Sequence, residues 1–170
     1  MVLRVALAAH ANRGRALEDL VDLVLAGYEE RGIALVRRVP DPWRVVRRNG
    51  RVVGAFPARK GLVDYLGVWR GVPVAFDCKE TGGVLSFSKL PAHQLEFLER
   101  WACQGGLAAL LVRFWRRGAV VWVPVGALLE ASGSGKRRLT LPECLERGVA
   151  VPARPGVPLD LEAAWREALG

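Results

Sequence analysis

Between Leu62 and Lys79 the chain reads LVDYLGVWRGVPVAFDCK, two runs rich in β-branched and aromatic residues separated by Arg70-Gly71. Such runs predict two strands joined by a tight reversal. A two-residue connection pairs Trp69 with Val72 and sets Asp64 directly opposite Asp77. A four-residue connection keeps that register, and a three-residue one shifts it. Side chains alternate faces along a strand, so Asp77 and Lys79 share a face with Asp64. Opposed Cβ atoms lie roughly 4.5–5.5 Å apart, where like charges destabilise. A divalent cation held between the carboxylates, with the lysine beside it, offsets the repulsion. The rival account at this point is a surface ladder of salt bridges.

The same pattern, D-x12-D-x-K, has a chemical reason for its spacing. Magnesium takes oxygen ligands and keeps several waters. Two aspartates, a scissile phosphate and water supply such a shell, and the metal acidifies its water. Lys79 can orient the attacking water or neutralise charge growing on the phosphate.

Length and balance agree with a soluble partner of an anionic polymer. A chain of 170 residues is long enough to bury a sizeable core in one domain. It is 51% hydrophobic and 25% charged, with a net charge of +8. Of 25 basic residues 21 are Arg, which suits bidentate contact with phosphate. Cys78, Cys103 and Cys144 lie far apart with no C-x-x-C, so neither a disulfide framework nor a zinc ribbon is indicated. A reducing, cytoplasmic setting is expected, and no membrane span, because Arg113, Arg116, Arg117 and Gly118 interrupt the longest apolar stretch.

Along the chain, Asn12 caps a predicted helix over 13–31, ended by Gly32. Leu17, Leu20, Val21, Val24, Leu25 and Tyr28 form its buried stripe, with Glu18 beside it, and Ile33 to Val39 is a strand. In 40–60, Asn49-Gly50 between Val-Val pairs marks a hairpin bearing Arg44, Arg47, Arg48, Arg51, Arg59 and Lys60. Its Trp43 and Phe56 either stack on bases or pack the ribbon's base. Thr81 to Lys89 reads as a polar loop, and Pro91 opens a helix that Gly105-Gly106 ends. His93 and Gln94 occupy its first turn. Two further strands flank Arg116-Arg117-Gly118, and Leu141 to Arg147 and Leu159 to Leu169 are helical. SGSGKRR, Ser132 to Arg138, lacks the spacing of a phosphate loop and reads as a flexible basic loop. This order of elements implies a mixed sheet flanked by helices, an α/β fold.

The segment DYLGVWRGVPVAFDCKET resembles the central motif of the RecU family of Holliday junction resolvases, in the PD-(D/E)xK nuclease superfamily. Asn12-Arg13-Gly14 with Leu17-Glu18 resembles the family's N-terminal helix. His93-Gln94 resembles its HQ helix, and Gly135 to Arg138 a late basic segment. The resemblance implies a homodimeric endonuclease making paired, Mg2+-dependent nicks in four-way DNA junctions, with Mn2+ as a substitute and no small-molecule cofactor. It implies a single nuclease domain over 1–170, with a protruding basic stalk at about 40–60. By the same resemblance Asp64 and Asp77 are metal ligands, Gln94 lies at the metal, Lys79 is catalytic, and Glu18 joins the active site. The DNA-contacting residues expected are Arg13, Arg15, Arg44, Arg47, Arg48, Arg51, Arg59, Lys60, Lys89 and Arg137. Three departures stand out: Leu62 where many members have threonine, Asp77 where glutamate is usual, and a shorter stalk and loop. The alternatives are a nuclease for flap or duplex DNA, and a DNA-structure binder without catalysis.

Overall fold

The structure is a computed structural model, and it describes residues 15–40, 42–57 and 62–170. A six-stranded mixed sheet runs β1 (Ala34–Arg38), β4 (Tyr65–Trp69), β5 (Val72–Thr81), β7 (Leu107–Phe114), β8 (Ala119–Pro124) and β10 (Val149–Ala150) in spatial order. All neighbours are antiparallel except β5 and β7, which helix α2 (Ala92–Cys103) connects in parallel. Strands β2 (Trp43–Arg48) and β3 (Arg51–Pro57) form a separate hairpin. Strands β6 (Val84–Ser86) and β9 (Arg138–Thr140) make a second small ribbon.

Both faces of the sheet are covered. Helices α1 (Ala16–Glu30) and α5 (Leu161–Leu169) close one face, where Tyr28, Trp69, Phe76, Trp122 and Trp165 meet in edge and tilted ring contacts. On the other face α2, α3 (Val125–Gly133) and α4 (Leu141–Arg147) bury Leu98, Leu110, Val112, Phe114, Leu128 and Leu139. Burial on both sides explains why LAALLVRF reads as an unbroken apolar run instead of alternating.

The central hairpin has the two-residue turn. Trp69 pairs with Val72, and Arg70 and Gly71 take φ values of 48° and 83°. Positive φ at both positions is the type I′ geometry whose twist matches the strands. Asn49 and Gly50 repeat it at the tip of β2–β3, with φ of 51° and 76°. The predicted helix stripe also forms: Leu17, Val21, Val24, Leu25 and Tyr28 are buried, with Leu20 packed against them.

Three expectations are corrected. The stretch from Thr81 to Lys89 is not simply a loop, because Val84–Ser86 pairs with Arg138–Thr140 and Phe87–Lys89 makes a 3-10 turn. Ser132 to Arg138 is not a flexible loop; Ser132 and Gly133 finish α3, and Arg138 begins β9. The helix α3 itself was hidden by Pro124 and Gly126, though Pro124 merely stands at its N-cap. Trp43 and Phe56 do not pack the hairpin's base: they are 60% and 53% exposed. The expected cap Asn12, with Arg13, Arg59 and Lys60, lies outside the described residues.

Gly71→Val places a β-branched residue at a left-handed φ, and should cost about 1–2 kcal/mol. A lowered urea midpoint with unchanged slope checks this.

Candidate active site

The ladder between β4 and β5 ends at Tyr65 opposite Phe76, so one step outward sets Asp64 against Asp77. Asp77 faces α2 and is fully buried. Its Oδ1 accepts a hydrogen bond of 3.0 Å from the Gln94 amide nitrogen. Its Oδ2 meets the Lys79 ammonium in an ion pair and has no well-directed hydrogen bond. Lys79 also lies 3.4 Å from the Gln94 carbonyl oxygen, so Gln94 bridges acid and base with its two ends. Asp64 Oδ2 accepts from the Cys78 amide at 2.7 Å, which fixes that carboxylate against β5.

Electrostatics follows from this geometry. Burial, then the neighbouring Asp64, pushes the Asp77 carboxyl up to about 6, against the opposing pull of Lys79. Burial and Asp64 also raise the Glu18 carboxyl, while Arg38 and Arg15 pull it down. Glu18 on α1 thus feels the Asp64 carboxylate, although α1 packs on the face of the sheet opposite α2.

Glu18 is held by residues the sequence did not single out. Arg38 Nη1 donates to Glu18 Oε2 at 2.6 Å, and Arg38 Nη2 lies 2.8 Å from Asp22 Oδ2. The Tyr65 hydroxyl reaches Asp22 Oδ1 at 2.6 Å and lies 3.0 Å from the Glu18 carbonyl oxygen. The signal was available: Glu18 and Asp22 are four apart on one helix, a repulsive spacing that calls for a cation.

The remaining predicted residues that the structure describes lie on the surface. Arg15 is exposed at the start of α1, and Arg44, Arg47, Arg48 and Arg51 are exposed on the β2–β3 hairpin. Lys89 ends the 3-10 turn and Arg137 precedes β9, both exposed. Leu62 is 50% exposed just before the buried Val63. Among the described residues no three His, Cys, Asp or Glu side chains gather as a metal cluster. Among them, too, no helix is long and apolar enough to cross a membrane.

The class of site is thus an acid pair, Asp77 buried and Asp64 half-buried, with an adjacent lysine at one end of a mixed sheet. Comparison with known proteins gives the family: the profile of Recombination protein U (RecU) matches residues 12–164, and the chain belongs to that family. It is 35% identical over 115 residues to "Holliday junction resolvase RecU" of Geobacillus kaustophilus, a match covering 63% of this chain and 58% of that protein. It is 26% identical over 162 residues to the protein of the same name from Levilactobacillus brevis, covering 88% and 81%. The chain therefore spans under two thirds of the length of the first relative. A solved Archaeoglobus fulgidus Hjc, titled a Holliday junction resolvase, overlaps with a TM-score of 0.46 at 16% identity. That match covers 80% of this chain and 88% of that one, an overlap too loose to add to the assignment.

A raised carboxyl binds more protons in the folded state than unfolded. Its stabilising contribution is present below the ordinary value of 3.8 and is lost as pH rises toward about 6. Asp77→Asn should therefore stabilise the metal-free protein at pH 7 by about 1–3 kcal/mol and lose that advantage below pH 4. Urea unfolding at the two pH values measures it.

Proposed function

We propose that this chain is a structure-selective endodeoxyribonuclease that resolves four-way DNA junctions, acting as a homodimer with a divalent metal. The observation that carries the reading is the register of Asp64 against Asp77, with Lys79 on the same face, in a chain of the RecU family. Relatives over most of this length bear the name Holliday junction resolvase.

The donor set fits a hard cation. Asp77 Oδ2 is buried with, among the described residues, only the Lys79 ammonium paired to it, and Asp64 offers a second carboxylate. Two carboxylates with open positions suit magnesium, which keeps several waters, and manganese takes the same oxygens. Asp64 and Asp77 hold the metal in this reading, and Glu18 borders it. Gln94 holds Asp77 and Lys79 in place. When bound, the metal supplies Lewis acidity toward the phosphate and acidifies water.

The chain's own groups do the rest. Lys79 stands where its ammonium can face the scissile phosphate and offset the negative charge that builds there. Arg38, through Glu18, sets the position of the helix-borne acid. The β2–β3 hairpin presents Arg44, Arg47, Arg48 and Arg51 with exposed Trp43 and Phe56, a combination suited to phosphates and unstacked bases. A two-fold dimer sets two sites against two strands, which accounts for symmetric incision without a second kind of subunit. Leu35 and Val68, exposed cross-strand partners on the sheet's edge, offer apolar surface for such a contact.

Asp64→Asn and Asp77→Asn should each abolish cleavage of a four-way junction while leaving junction binding intact. Unchanged cutting by both refutes the site, and equal cutting of junction, flap and linear duplex refutes the junction assignment. Arg47→Ala with Arg48→Ala should weaken binding and reduce the slope of log affinity against log salt by about two.

A further inference from the structure

The β6–β9 ribbon is not used by the chemistry above, yet it starts where that chemistry ends. Strand β5 carries Lys79, reaches Thr81, turns through Gly82-Gly83 and re-enters as β6. The Thr81 hydroxyl donates to the Val84 carbonyl at 2.6 Å and closes that turn. Ser86 pairs with Arg138, and the Phe87 amide donates to the Arg137 carbonyl at 3.0 Å. The cross-strand pair Leu85 and Leu139 is buried in the core, so the ribbon is fastened to the domain.

Concave surface follows the ribbon. A groove of about 190 Å³ is lined by Lys79, Ser86 and Lys89, among others. A larger one of about 920 Å³ is lined by Ser86, Ser88, Ser132, Lys136, Arg137 and Arg138. Ser86 lines both, so the two grooves neighbour each other along one track, and the smaller one is lined by Glu80 as well as Lys79. The SGSGK segment aims its cations into this track by ending a helix. Gly135, at φ 86°, donates to the Ser132 carbonyl, and Lys136 donates to that of Ala131 at 3.0 Å. That paired closure is the Schellman stop. It projects Lys136 from the end of α3 and leads through Arg137 to Arg138, which begins β9.

One acid lines the larger groove. Glu143 accepts from the Thr140 amide at 2.8 Å, completes the capping box of α4, and takes the Lys136 ammonium in an ion pair. An internal carboxylate thus occupies one of the groove's cations.

Resting on the nuclease reading, we infer that the β6–β9 ribbon is a second DNA-backbone site, a phosphate track for the duplex arm leaving the acid pair, in which Glu143 competes with phosphate for Lys136. The larger groove sets the hydroxyls of Ser86, Ser88 and Ser132 beside Lys136, Arg137 and Arg138 and shares Ser86 with the groove that Lys79 lines, a chemistry that suits successive phosphates. An acidic protein partner is the competing occupant, and it predicts no effect of these residues on DNA.

The test is equilibrium binding of labelled duplex and four-way junction by the full chain, in buffer without divalent cations, over a range of salt. Lys136→Gln, Arg137→Gln and Arg138→Gln together should weaken binding at least tenfold at about 0.1 M salt and reduce the salt slope by about two to three. Glu143→Gln keeps a capping-box residue at its position, and should tighten binding several-fold by releasing Lys136. An unchanged salt slope in a folded triple variant overturns the proposal, and so does unchanged or weaker binding by Glu143→Gln. Should the triple variant not fold, the single one decides. Binding is read without metal, so a failure of cleavage counts against the nuclease reading alone.

Discussion

Everything at the working end of this molecule depends on a repulsion that the fold enforces. A two-residue turn, with both residues at positive φ, fixes the β4–β5 register and so fixes Asp64 against Asp77. A one-residue slip would send the strand's side chains to the opposite face. The surrounding protein raises the cost further by burying Asp77 completely under α2. Lys79 and the two ends of Gln94 compensate only in part, since the Asp77 carboxyl still sits well above its ordinary range. A core that needed only stability would hold an apolar residue there. Retaining the charge makes sense where a cation is to be bound.

The topology gathers function at one end of the sheet. Asp77 and Lys79 lie in the carboxyl half of β5, whose neighbour β7 runs parallel. Arg38 closes β1 at that same end, and Asp64 opens β4. Carboxyl ends of parallel strands are where open α/β sheets collect ligands, because the connecting segments diverge there. The β2–β3 hairpin leaves from β1 and returns to β4 at this end, and the β6–β9 ribbon departs from β5. Acid pair, basic hairpin and basic ribbon are consequences of one chain geometry.

What could be read from the sequence was local. Asn49-Gly50 and Arg70-Gly71 determine their own hairpins, because loop length and backbone conformation set register within a few residues. Gly32 and Gly105 likewise mark helix ends without reference to the rest of the chain. The pairing of Val84–Ser86 with Arg138–Thr140 spans more than fifty residues, and three-residue strands carry no periodicity of their own. Helix α3 failed for a different reason, since its apolar residues continue the run of β8 and only Pro124 divides them. At the site, the acid pair was legible from spacing, whereas the Arg38–Glu18–Asp22–Tyr65 network needs three elements brought together.

The two basic elements are anchored differently, and that difference has a mechanical consequence. The ribbon is fastened by Leu85 and Leu139, buried to 4% and 0% exposure, so its cations stand on a fixed base. Among the described residues the β2–β3 hairpin has no such base: Trp43, Val45, Val52, Val53 and Phe56 are all exposed, and Val53 falls at a bulge. An isolated two-stranded hairpin is marginally stable in water. Its apolar surface is covered only when something is placed against it, and a DNA junction with exposed base faces supplies such a surface. In the proposed function, then, the ribbon is the preorganised half of the DNA surface and the hairpin is the half completed by its substrate. In that reading, affinity for ordinary duplex rests on the first, and discrimination in favour of branched DNA rests on the second.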